Sequence, residues 1–125
     1  MASMIDQDFF ARLNALNEKF AASVPATLAR LRAQRLAFDA AAPDPAVVKE
    51  LHQILHTIAG SAATFGFRVF GEQARNLEQR LRVLSAFEAV APADWHRWLQ
   101  ALEHYLAWAE TDPKAERFDG PQTRQ

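Results

Sequence analysis

His56 is the side chain of this sequence best placed to act as a nucleophile. A neutral imidazole keeps an unprotonated ring nitrogen near neutral pH and can form a covalent intermediate. The segment around it has helical spacing. At 100° per residue and with Leu51 as reference, Val47, Val48, Ile54, Leu55, Ile58, Ala62 and Phe65 fall within about 60° of it and form one apolar stripe. His56 falls about 140° away, on the side turned to solvent. Its neighbours there, three, four and seven residues on, are Ala59, Gly60 and Ala63. Glycine inside a helix costs about 1 kcal/mol relative to alanine; here it clears a low surface where a second protein can approach the ring. Such a surface suits phosphoryl transfer from an aspartyl phosphate held in a partner's pocket. In such a transfer the helix would supply only the nucleophile and its position, and the metal ion and charge stabilisation would come from the partner.

Other chemistry is less well provided for. His52 precedes His56 by one turn, so the two could form an i, i+4 metal pair, but no third ligand completes the site at matching spacing. No metal site is therefore expected. His96 and His104 read as surface or boundary residues, and Trp95, Trp98 and Trp108 as core or core-edge aromatics. There is no nucleotide-binding loop and no paired acid and base, which speaks against an enzyme.

Positioning His56 requires a helical frame, and the chain has one. Phe9, Leu13, Leu16 and Phe20 step by 4, 3 and 4, placing them on one face of a short first helix. Pro25 interrupts, and Val24, Leu28 and Leu31 begin a second helix running towards Phe38. Asp44-Pro45 reads as an N-cap followed by proline at the first helical position. The helix bearing His56 follows, to about Thr64, and stops near Gly66. Phe70, Ala74, Leu77, Leu81 and Leu84 mark the next helix, and Trp95, Leu99, Leu102, Leu106 and Ala109 the last. No segment alternates with period 2. The expected fold is all-α: an up-and-down four-helix bundle with a short additional N-terminal helix. Residues 1–110 form the bundle, and 111–125 read as a polar tail or linker rather than structure.

Composition sets further limits. Fourteen Lys and Arg against fifteen Asp and Glu give a net charge of −1, without the basic excess that nucleic-acid binding needs. The absence of cysteine excludes disulfides and thiolate metal sites. No apolar run approaches the roughly 20 residues of a membrane span, so the expected location is cytoplasmic.

The stretch Leu55-His56-Thr57-Ile58-Ala59-Gly60-Ser61-Ala62-Ala63-Thr64-Phe65-Gly66 resembles the signature of histidine-containing phosphotransfer (HPt) domains. That family has glycine four residues after its phospho-accepting histidine and another at the turn ten residues after it, as Gly60 and Gly66 are here. Leu77-Glu78 matches the Leu-Glu pair on the following helix, so the likeness spans residues 52–78. The Ala-Gly-Ser-Ala-Ala-Thr-Phe-Gly wording looks closest to HPt domains fused to receiver and diguanylate-cyclase (GGDEF) domains. The resemblance implies a phosphocarrier with no catalysis of its own. It would exchange a phosphoryl group between His56 and an aspartate of a receiver domain in a response regulator or hybrid histidine kinase, and the receiver would bring Mg2+. A degenerate module that binds a receiver without accepting phosphate is the alternative, and a monomer or one domain of a larger protein is expected. The resemblance also gives Glu78 the role of orienting the imidazole. One departure stands out: Ala59 occupies the position where the family usually has lysine, which pairs with the phosphoryl oxygens. Lys49 shares the face of His56 but lies about 10 Å away along the axis. An antiparallel hairpin turning at Phe65-Gly66 would set Arg75 level with His56. Gly71, Arg75, Glu78 and Arg82 form one stripe, on which the two arginines could meet phosphate or an acidic receiver surface. They could equally be a solvated face, as could Arg68 and Arg80. His52, Ala59, Gly60 and Ala63 make up the expected docking surface.

Overall fold

The computed structural model describes residues 4–119, which form four α-helices and no strand. They are α1 (Met4–Ala37), α2 (Pro45–Ser61), α3 (Arg68–Ser85) and α4 (Pro92–Thr111), with a 3₁₀ turn at Ala62–Phe65. Successive helices run antiparallel, as cross-helix pairs show. Arg30 meets Glu50 while Phe20 meets Phe65, and Trp98 donates to the Leu77 carbonyl while Tyr105 donates to that of Phe70. The result is the expected up-and-down four-helix bundle.

Each helix starts or stops where local chemistry allows. Asp44 Oδ1 accepts the Ala46 N–H at 2.9 Å, satisfying one of the orphan donors at the start of α2, with Pro45 at the first helical position. Gly66 adopts φ 88, a left-handed conformation that a side chain would strain. Its N–H donates to Ala63 and that of Phe67 to Ala62, which closes the turn into α3. The core draws on all four helices, with Leu31, Leu51, Leu55, Phe70, Leu81, Trp98 and Leu106 all at 0% exposure. Two buried polar groups are satisfied inside it: Trp98 Nε1 donates to Leu77 O at 3.0 Å and Tyr105 OH to Phe70 O at 2.9 Å. Burial pushes the Tyr105 hydroxyl well above its ordinary pKa, which keeps it a donor. Arg32 closes α1 onto α4 through Glu110 at 2.8 Å and Glu103 at 3.2 Å.

Two expectations need correction. The separate short N-terminal helix is not formed, because α1 runs unbroken through Pro25. A mid-helix proline removes one hydrogen bond and costs about 3 kcal/mol. Here Ala21, whose carbonyl loses its partner, and Pro25 both lie on the exposed side, where solvent can reach that carbonyl. The flanking Val24, Leu28 and Leu31 are buried, and their packing holds the helix across the break. The stripe Phe9–Leu13–Leu16–Phe20 therefore belongs to α1, but Phe20 is its first member to pack against the core. The tail also has structure as far as Asp119. Trp108 Nε1 donates to the Arg117 carbonyl at 2.8 Å, Phe118 packs edge-on against Trp108 and His104, and the Lys114 ammonium lies 5.4 Å from the Phe67 ring centre. Phe118 is the one large apolar side chain after α4, and it covers the half-exposed edge of Trp108. Residues 120–125 of the expected tail lie outside the described residues.

Candidate functional site

The helix α2 presents His56 as its sequence spacing implies. Leu51, Ile54, Leu55 and Ile58 are buried, while the His56 side chain is 69% exposed. Gly60 and Ala63 are exposed and Ala59 is half-buried. A Cβ placed on Gly60 would meet nothing within 4 Å. No internal packing demands that glycine, so its helix penalty is not repaid inside the bundle. Gly71 differs: its Cβ would come within 3.1 Å of that of Ala62, where α3 and the end of α2 pack closely.

Across from His56 on α3 lies Glu78, the one buried charged residue among those described, at 3% exposure. Its Oε2 is 2.5 Å from Arg82 Nη2, 2.7 Å from His52 Nε2 and 4.0 Å from His56 Nδ1. Burial alone would push this carboxyl up. The Arg82 hydrogen bond and charge, followed by His52, together outweigh that and hold it below the ordinary glutamate value, so it is ionised at neutral pH. The His52 and His56 rings lie parallel, 8° apart in plane and 6.1 Å between centres.

These contacts shift the expected register by one turn. The 3₁₀ turn and Gly66-Phe67 add length between α2 and α3, so Glu78 rather than Arg75 stands level with His56. Arg75 sits one turn further towards the hairpin, where its Nη2 donates to the Ala59 carbonyl at 3.1 Å. At 4.0 Å the Glu78–His56 pair is too long for a hydrogen bond; the carboxylate bonds His52 instead. His52 is thus the side chain that Glu78 holds, a tie that spacing along α2 alone cannot reveal because the partner is on α3. Among the remaining arginines, Arg68 pairs with Glu72 on its own helix, and Arg80 lines the α3–α4 cleft with Trp98 and Phe118, away from His56. The described residues contain no group of three or more His, Asp or Glu suited to holding a metal ion.

The family model for the Hpt domain matches residues 15–110. The chain belongs to the Hpt domain family. No curated protein and no solved structure matches it. Hpt domains serve histidine phosphotransfer in phosphorelays as carriers rather than catalysts, and in general they interact with receiver domains of response regulators. The helical bundle described above agrees with the Hpt fold. Among the described residues no helix is long and apolar enough to cross a membrane.

Proposed function

We propose that this Hpt domain is an active phosphocarrier in which His56 exchanges a phosphoryl group with the aspartate of a receiver domain. The observation that carries the reading is the exposed His56 ring turned with Nδ1 towards the buried, ionised Glu78. That orientation leaves Nε2 as the attacking atom. Its lone pair forms the N–P bond as the P–O bond to the receiver's aspartate breaks, and the carboxylate departs with the electron pair. The ring gains positive charge while Nδ1 keeps its proton, and Glu78 stabilises that charge from 4.0 Å. A hydrogen bond needs only about 1 Å of closure. The receiver supplies Mg2+ for the transferring oxygens.

Arg75 takes the part left vacant by Ala59. It is anchored on the Ala59 carbonyl by one nitrogen, which leaves guanidinium N–H groups for phosphoryl oxygens one turn from His56. Arg82, by contrast, is committed to Glu78 and supports the carboxylate. Docking uses the low surface of Ala59, Gly60 and Ala63 and extends past His52 into a groove lined by Val48, Lys49, Arg82, Phe87 and Trp95. The wording from Ala59 to Gly66 supports a receiver connected with a diguanylate cyclase as the partner class, and a cytoplasmic setting follows from such a relay.

The test is incubation of the purified chain with a phosphorylated receiver. Acid-labile, base-stable phosphate should form on the wild type and be absent from His56→Gln, whose circular dichroism should be unchanged. Phosphate retained by the variant would refute the assignment to His56. A wild type that binds the receiver but holds no phosphate would establish the degenerate alternative.

A further inference from the structure

The N-terminal half of α1 extends beyond the part that packs on the core, and among the described residues its apolar face is largely exposed. Phe20 stacks on Phe65 at 5.1 Å, at the hairpin end of the core, and it is the first residue of α1 to pack there. The sixteen residues from Met4 to Lys19 would reach about 24 Å further. On this stretch Phe9, Phe10 and Leu16 are 55%, 60% and 51% exposed. A helix of that length is marginal alone in water, and contiguous exposed apolar surface usually marks an interface.

We infer that this projection pairs with its equivalent in a second copy of the chain, antiparallel about a two-fold axis between Leu13 and Leu16. The spacing Phe9, Leu13, Leu16, Phe20 is 4-3-4, the a/d spacing of a helix pair, and it reads the same in both directions. A two-fold copy running the other way therefore sets Leu13 against Leu16 of the second copy. It also brings Phe9 of the second copy to Phe20, extending the Phe20–Phe65 stack. A parallel copy is sterically excluded. The stripe continues the face of α1 that, beyond Phe20, is covered by its own bundle, so a parallel partner would bring a second bundle into the same space.

The strip offered by each copy is about 24 Å long and about 10 Å wide. This falls short of the roughly 800 Å² per partner of a standard interface and belongs with weak, reversible ones. Association is therefore expected to be weak and strongly dependent on concentration. His56 is not among the residues lining the α1–α2 groove, and its nearest charged partner is on α3, so pairing leaves the transfer face open.

Sedimentation of the chain over a concentration series tests the inference. A reversible monomer–dimer equilibrium is expected, with Leu16→Glu and, independently, Phe9→Glu raising the dissociation constant at least tenfold while helical content is kept. Val83→Glu, at another exposed apolar side chain (60% exposed), should leave the dissociation constant unchanged. The chain has no cysteine, so orientation can be read by cross-linking. Leu13→Cys mixed with Leu16→Cys should form a disulfide. Phe9→Cys should not join to itself, since the two sites would lie about 16 Å apart along the axis, beyond disulfide reach. A chain that stays monomeric up to about 1 mM, or self-linking of Phe9→Cys, would overturn the proposal. So would a monomeric wild type in which Leu16→Glu abolishes transfer from a receiver, because the projection would then belong to the receiver.

Discussion

Replacing Glu78 by glutamine keeps the shape of the site and removes its charge, and so isolates what the carboxylate does for His56. Two unit charges 4.0 Å apart, the Glu78–His56 separation, attract by about 4 kcal/mol at an effective dielectric constant of about 20. That figure is an upper bound here. The His56 ring is 69% exposed, so water screens the charge it acquires, and Arg82 at 2.5 Å already neutralises much of the carboxylate. A discount to roughly 0.5–1 kcal/mol, the upper part of the range for solvated pairs, is reasonable, which corresponds to a transfer rate about 2- to 5-fold lower. The fold should survive, since the glutamine carbonyl still accepts from Arg82 and His52. The assay is single-turnover transfer from a phosphorylated receiver, with the melting curve measured in parallel. An unchanged rate in a folded Glu78→Gln protein would refute the claim that this carboxylate stabilises the phosphorylated ring. Stability should respond to pH in a set direction. The folded-state carboxyl titrates below its ordinary value, so its contribution is full above the unfolded glutamate pKa of about 4.3. It is lost as the pH falls through the lowered folded value. The wild type's advantage over Glu78→Gln should therefore shrink on acidification below about pH 4.3.

Gly60 gives a sharper separation of fold from function. Gly60→Ala adds a methyl into open space and should stabilise the bundle by about 0.4–1 kcal/mol in thermal melts, whereas Gly60→Gln should remain folded but slow transfer, by up to about 100-fold if the partner is held 1 Å away. Equal transfer by the two variants would remove Gly60 from the docking face. Ala59→Lys should move the phosphate equilibrium towards the Hpt domain by about 2- to 5-fold, as an exposed ion pair of about 0.2–1 kcal/mol allows, with the gain eroding at high salt. If partition measurements show no gain, Arg75 already fills the role. Trp98→Phe removes a second donor from the Leu77 carbonyl, which keeps its helical partner inside α3, and should cost at least about 0.5–1.5 kcal/mol in denaturant titration; an unchanged midpoint would mean that this bond adds nothing to stability.

Much of the site was legible in the residues themselves, because helical periodicity is local. At 100° per residue, the apolar stripe of α2 settles that Leu51, Leu55 and Ile58 point inward and His56 outward, whatever packs beside them. The same reasoning recovers the buried faces of α3 and α4. Pro25 shows where a local rule is overruled: its intrinsic cost is real, but burial of Val24, Leu28 and Leu31 exceeds it and joins two expected helices into α1. The tail shows the reverse, a polar segment held down because Phe118 finds Trp108. What only the tertiary structure decided is the pairing across helices. A strict hairpin count from Gly66 puts Arg75 level with His56. The 3₁₀ turn, together with the tight Ala62–Gly71 approach, slides α3 by one turn, so that Glu78 takes that place and divides itself among Arg82, His52 and His56. Which side chains share a helix face depends on rotation per residue, which is the same in every helix. Which side chains meet across two helices depends on how far one slides along the other, and a single turn's geometry or one close contact is enough to change that.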